Sequence, residues 1–153
     1  MARGDFTVFE EFADQLGKEL HNFSSDTLKL AIINNTVTPA AGDATPAWGA
    51  TSGVDYDANE VTNAGGYTTG GIGVPVTWTE AAGVATLNDN VGDIALAQNA
   101  SGFTNGYYGI LYNDSATNKN AIGFIDLGGP VSEQAGPVNI NWNASGILTV
   151  TVS

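Results

Sequence analysis

A chain of 153 residues suffices for one compact domain with a real core, and its make-up of 42% hydrophobic residues, 13% charged residues and 20 glycines fits an all-β protein with many turns. Four Lys plus Arg against 16 Asp plus Glu give a formal net charge of -12, and beyond Asp43 the only basic residue is Lys119. Nucleic-acid affinity rests on basic groups that displace counterions, so DNA, RNA and anionic membranes are excluded as direct partners. No cysteine is present, so neither disulfides nor thiolate chemistry contribute and the redox compartment cannot be inferred. Met1 to Asp5 lacks the apolar run of a signal peptide, and no window approaches the roughly 20 apolar residues of a membrane span, so synthesis and folding in the cytoplasm are expected. Without a secretory route, the Asn-x-Ser/Thr triplets at Asn34 and Asn143 read as the chance yield of an Asn- and Thr-rich chain.

The opening, Asp5 to Leu20, reads as the one helix, ended by His21-Asn22. Phe9, Phe12 or Ala13, Leu16 and Leu20 recur at helical spacing, Glu10, Glu11, Asp14, Gln15, Lys18 and Glu19 fill the other face, and Asp5 or Thr7 caps the start. The apolar stripe is expected to lie on a sheet; the alternative is a docking face for another protein. Thr27 to Ile33 follows as a strand with Leu28, Leu30 and Ile32 on one side. From Asn34 to Gly71 runs a long irregular arm rich in Pro and Gly. Loops of that length inside a compact domain tend to be functional or partner-bound, so a partner interface is expected here, at Pro39, Pro46, Trp48, Tyr56 and Tyr67. The competing reading is that Trp48 and Tyr67 pin the arm to its own sandwich.

Ile72, Val74, Val76 and Trp78 alternate with Gly73, Pro75, Thr77 and Thr79 as a strand in which Pro75 marks an edge or a bulge. Val84 to Leu87 and Val91 to Ala97 read as short strands, with a helix over Asp93 to Asn99 as the alternative for the second. Gly106 to Asp114 and Ala121 to Leu127, joined by the polar link Asn113 to Asn120, form a β-hairpin placed at the centre of the sheet. Tyr108, Ile110 and Tyr112 fall on one face and Tyr107, Gly109 and Leu111 on the other, so the strand is expected to be covered on both sides. Gly128-Gly129-Pro130 breaks it. Val138 to Trp142, the turn Asn143 to Gly146, and Ile147 to Val152 read as a closing hairpin. The expected fold is mainly β, an antiparallel β-sandwich or barrel-like domain with one N-terminal α-helix. It is one domain over residues 1–153, with the helix at 5–21, the arm at 34–71 and the main β region at 72–153.

Reactive constellations are hard to assemble. The single His21 falls where the expected helix ends, an exposed position that the helix dipole favours, and it reads as a structural residue before a catalytic one. Asp55-Tyr56-Asp57-Ala58-Asn59-Glu60 begins like a calcium loop, then puts Glu60 where glycine is needed and Gly66 where the closing glutamate belongs, leaving only a loose calcium site open. Gly70-Gly71-Ile72-Gly73 opens no helix and carries no following Lys, so it is no phosphate cradle. A carboxylate pair for glycoside hydrolysis has no positive support. No catalytic, cofactor-binding or metal-binding residue is assigned, and an enzyme is not expected.

Three runs carry a family resemblance: Phe9-x-x-Phe12-x-x-x-Leu16-Gly17 with His21 to Ala31, then Gly65-Gly66-Tyr67-x-x-Gly70-Gly71, and Leu111-Tyr112-Asn113-Asp114 with Ile122 to Asp126. Through these scattered short matches the chain resembles, end to end, the small virion proteins of tailed bacteriophages grouped as capsid decoration or cement proteins. The resemblance implies a non-enzymatic protein on the capsid surface of the virion, with the major capsid protein as partner and no catalytic residues to carry over. A homo-oligomer is expected, a trimer because local threefold junctions are common attachment points in such shells. The rival readings are a tail or head-to-tail connector component, and a carbohydrate-binding module using exposed Trp48, Trp78 or Tyr67 as stacking platforms. If the arm makes the contact, deleting Ala40 to Gly53 should leave a folded but non-binding protein.

Overall fold

The computed structural model of the chain describes residues 4–49, 53–62, 65–90 and 92–152. Val91, the head of an expected strand, and residues 50–52 and 63–64 of the arm lie outside them. In chain order the elements are β1 (Phe6–Val8), helix α1 (Phe12–Gly17), β2 (Leu28–Ile33), β3 (Ile72–Val74), β4 (Val76–Ala81) and β5 (Val84–Asp89). They continue with β6 (Ile94–Leu96), β7 (Gly106–Asn113), β8 (Ala121–Val131), β9 (Val138–Ile140) and β10 (Leu148–Thr151). A five-stranded sheet of order β1-β8-β7-β2-β3 faces a three-stranded sheet, β10-β5-β4, and a two-stranded pair, β6-β9. Every pairing between strands is antiparallel. The protein is mainly β and sandwich-like, and the sheets do not close into a barrel.

Strand β7 sits at the centre of the large sheet, as its two-faced composition requires. Leu111 joins Leu28, Leu30 and Ile32 of β2 in a core capped by Leu87, Leu148, Ile94 and Ile140 of the smaller sheets. On the opposite face Ile110 and Tyr112 join Ala31, Ile33 and Phe124, and here no sheet provides cover. Phe9 and the arm residues Trp48 and Tyr56 do so instead. Each such side chain taken out of water contributes roughly 1.5–3 kcal/mol, so both covers matter to stability.

The N-terminal helix expected over residues 5–21 is largely replaced. Phe6 to Val8 pairs with Gly123 to Ile125 of β8, and α1 is only six residues long. Phe, Thr and Val are poor helix formers, whereas the edge of β8 offers ladder hydrogen bonds and a packing surface for all three. The helical spacing of Phe9 and Phe12 has another cause, because they enter opposite cores. Gly123 makes the pairing feasible, since a Cβ there would lie 2.5 Å from the Phe6 ring and the Thr7 carbonyl oxygen.

Three further expectations change. The Ile72 to Trp78 run divides at Pro75, with β3 in the large sheet and β4 in the three-stranded one. Proline lacks the ladder N–H, and the chain changes sheet there. The closing hairpin does not form: β9 pairs with β6 and β10 with β5. Asp93 accepts hydrogen bonds from the Trp142 N–H and the Asn141 amide, which ties the end of β9 back to β6 and sends β10 elsewhere. The strand expected within Val91 to Ala97 does form, as β6, and the alternative helix over Asp93 to Asn99 does not. Beyond Asp126, β8 bulges: Leu127 to Pro130 face Tyr107 alone before Val131 regains Gly106, with Gly128 and Gly129 at φ 79° and 114°.

Candidate functional site

All five side chains expected at a partner interface are buried within the chain. Trp48, 4% exposed, stacks on Tyr112 with ring centroids 5.2 Å apart and planes 10° off parallel. The Tyr56 ring lies on Phe9, and its hydroxyl donates to Asp43 Oδ2 at 2.6 Å. Tyr67 packs against Phe103, donates to Glu60 Oε1 at 2.7 Å and accepts the Ile32 N–H at 3.0 Å. The Pro46 carbonyl accepts the Ala121 N–H at 2.9 Å, and Pro39 is enclosed as well. Burial first, and the bonded carboxylate second, push the Tyr56 and Tyr67 phenols far above their ordinary pKa, so both are neutral donors at every physiological pH. These side chains pin the arm to the sheet, and the surface the arm presents consists of its polar neighbours. Deleting residues 40–53 would therefore remove a core wall together with any contact surface.

In the acidic part of the arm, Asp55 Oδ1 accepts the N–H groups of Gly49 and Asp57 at 2.7 and 3.2 Å. Partial burial, then the charge and hydrogen bond of Asp55, raise the Asp57 carboxyl above the usual range. Among the described residues no three carboxylate or imidazole groups are arranged to hold a metal ion.

His21 differs most from its expectation. It is only 9% exposed, stacked on Phe23 and tilted against Phe12 with ring centroids 5.6 Å from each, and lies beyond the helix end. The helix closes earlier, in a turn where the Leu20 N–H reaches Gln15 O and the Glu19 N–H reaches Leu16 O, with Glu19 at φ 57° in the place glycine usually takes. His21 Nδ1 accepts from Asn113 Nδ2 at 3.2 Å, which leaves Nε2–H to donate to Gln15 Oε1 at 2.7 Å. Burial lowers the imidazole to about 4, opposed by Asp26, so the ring is neutral with both nitrogens engaged. A base needs a free lone pair, and this one has none to offer.

Asn113, fully buried, is the residue that sequence reasoning missed. Its amide also donates to Asp26 Oδ2 at 2.6 Å and Leu20 O at 3.2 Å, while its Oδ1 accepts the N–H groups of Ser115 and Ala116. It joins the hairpin tip to the 20–26 loop, and its only signal was that of an ordinary turn residue.

Each described lysine is committed to a carboxylate: Lys18 to Asp14, and Lys29 and Lys119 to Asp114. Beside His21 opens a cleft of about 390 Å³ lined by Trp78, Phe23, Glu19, Asn22 and Ser24. Of the aromatics proposed as sugar platforms, Trp48 and Tyr67 are buried and Trp78 alone is partly open. Set against protein family models, curated proteins and solved structures, the chain matches none.

Proposed function

We propose that the chain is a non-enzymatic structural protein of a tailed-bacteriophage virion, a decoration protein that binds the outer capsid lattice through the major capsid protein and stabilises it. The observation that carries this reading is the charge arrangement. A surface of net charge -12, in which every described lysine is already bonded to an aspartate, repels packaged nucleic acid and suits the outside of a shell. The runs on which the family resemblance rests support it further, since His21, Asp26 and Asn113 converge on one buried junction that shapes the fold.

The mechanism is one of mass action. A protein that binds assembled subunits in preference to separated ones stabilises the assembly, and symmetry repeats each weak contact over the shell. A rigid body serves this better than a flexible one, because little ordering free energy is lost on docking. Among the described arm residues, Trp48, Tyr56 and Tyr67 are already packed against the rest of the chain before any partner binds. Quantitative mass spectrometry of purified particles tests the reading: several hundred copies per virion are expected, whereas about six to a few dozen would assign the chain to tail or neck, and none would refute virion membership.

A further inference from the structure

We propose that the cleft at Trp78 binds a neutral, hydroxyl-rich ring, that is, a saccharide unit. Trp78 stands on β4, the outer strand of its sheet, and is half-buried with its ring centroid 5.2 Å from that of Phe23. Together they form an apolar floor. The cleft volume of about 390 Å³ falls within the ordinary range for small-ligand sites and accommodates one or two pyranose rings.

The rim decides the ligand class. The exposed Glu19 carboxylate has no hydrogen bond or ion pair among the described residues, and it can only accept. The Asn22 amide and the Ser24 hydroxyl are exposed donors with no acceptor assigned. A sugar hydroxyl both donates and accepts, so one ring can satisfy all three while its C–H face rests on the indole. A cationic side chain would satisfy Glu19 and leave the donors unmatched. An anion would meet the Glu19 charge with no compensating cation, because Lys18, the nearest basic residue in the chain, is held by Asp14. His21 closes the cleft wall with both nitrogens occupied and contributes shape alone. The inference is independent of the virion reading, since a glycan could be met from a particle surface or in any other setting.

The test is titration of the ¹⁵N-labelled full chain with maltotriose, cellotriose and N,N′,N″-triacetylchitotriose, alongside a neutral glycan array and argininamide as a cationic comparison. Among the three tryptophan indole signals, that of Trp78 is expected to move saturably with at least one sugar at a Kd in the range of about 1 mM, and the buried Trp48 signal to stay. Trp78→Ala should abolish the response. Because that change also removes packing from Phe23, Glu19→Gly is the second variant: it relieves the backbone, keeps the fold, and should weaken binding at least about tenfold. Silence of the array and of the Trp78 signal up to about 20 mM sugar, wild-type affinity in Glu19→Gly, or a response to argininamide in place of sugars would each overturn the proposal.

Discussion

Acidification should unfold this protein earlier than its carboxylates alone would cause, and the reason is His21. In the unfolded chain the imidazole titrates near 6.5; in the folded chain burial lowers it to about 4. Between those values the unfolded chain binds a proton that the folded one refuses. The contribution is therefore whole above pH 6.5, shrinks as pH falls, and is gone below about 4. A gap of about 2.5 pH units at ~1.36 kcal/mol each, with the opposing Asp26 charge already included, gives ~3 kcal/mol at most, less what solvent screening returns. With one histidine in the chain, its ring C–H signal gives the titration directly, and denaturant melts from pH 7 to 4 give the linkage. His21→Phe keeps the ring packing but leaves the buried Gln15 Oε1 without its donor and removes one acceptor of the Asn113 amide, so it should be weaker at pH 7 and show a flatter decline. The carboxylates are common to both proteins and cancel in the difference. An NMR midpoint near 6.5, or parallel pH profiles for the two proteins, would refute the reasoning.

Three other substitutions test the junction, the sheet edge and the arm. Asn113→Ala removes the amide shared by Asp26, His21 and Leu20 together with the acceptor for two loop N–H groups, and should lower stability by ~3 kcal/mol in a denaturant melt. Gly123→Ala drives a methyl group against the Phe6 ring and the Thr7 carbonyl; a loss of ~1–3 kcal/mol is expected, with hydrogen-exchange protection falling in β1 while β7 keeps its own. Tyr67→Phe leaves the buried Ile32 N–H without its acceptor and should cost ~1–3 kcal/mol by the same melt.

What could be read from the chain beforehand divides along physical lines. The central hairpin was legible because β7 is apolar on both faces, a pattern that few other placements satisfy. β2 was legible from Leu28, Leu30 and Ile32 on one side and its β-branched, apolar end. The N-terminus was not, because Phe9 and Phe12 are three apart by helical spacing and yet serve two cores. Periodicity records burial and says nothing of which surface does the burying. Likewise β9 and β10 were recognised as strands, but pairing depends on contacts distant in sequence, here Asp93 with Asn141 and Trp142. His21 looked exposed because it follows a helix; the Phe12 and Phe23 rings that enclose it are visible only after the loop folds back. In the arm, Trp48 and Tyr67 read equally well as contact surface or as anchors. Their hydroxyl partners and ring stacks decide for anchors.

That assignment gives the arm its sharpest prediction. The face of the large sheet beneath it has no second sheet, so Trp48 and Tyr56 do the work that a strand layer does on the other side. Truncating a buried tryptophan costs ~3–5 kcal/mol, against a whole-domain stability of ~5–15 kcal/mol. Trp48→Ala should therefore bring the denaturation midpoint down by about a fifth or more, with hydrogen exchange rising first at Ala31, Ile33 and Tyr112, which share its cluster. A change confined to the exposed Asp57 should leave the midpoint within ~0.5 kcal/mol, and so can probe lattice binding without disturbing the fold. If Trp48→Ala melted like the wild type, the arm would be an appendage after all, and the buried face of the sheet would have to be held by something other than the ring stack on Tyr112.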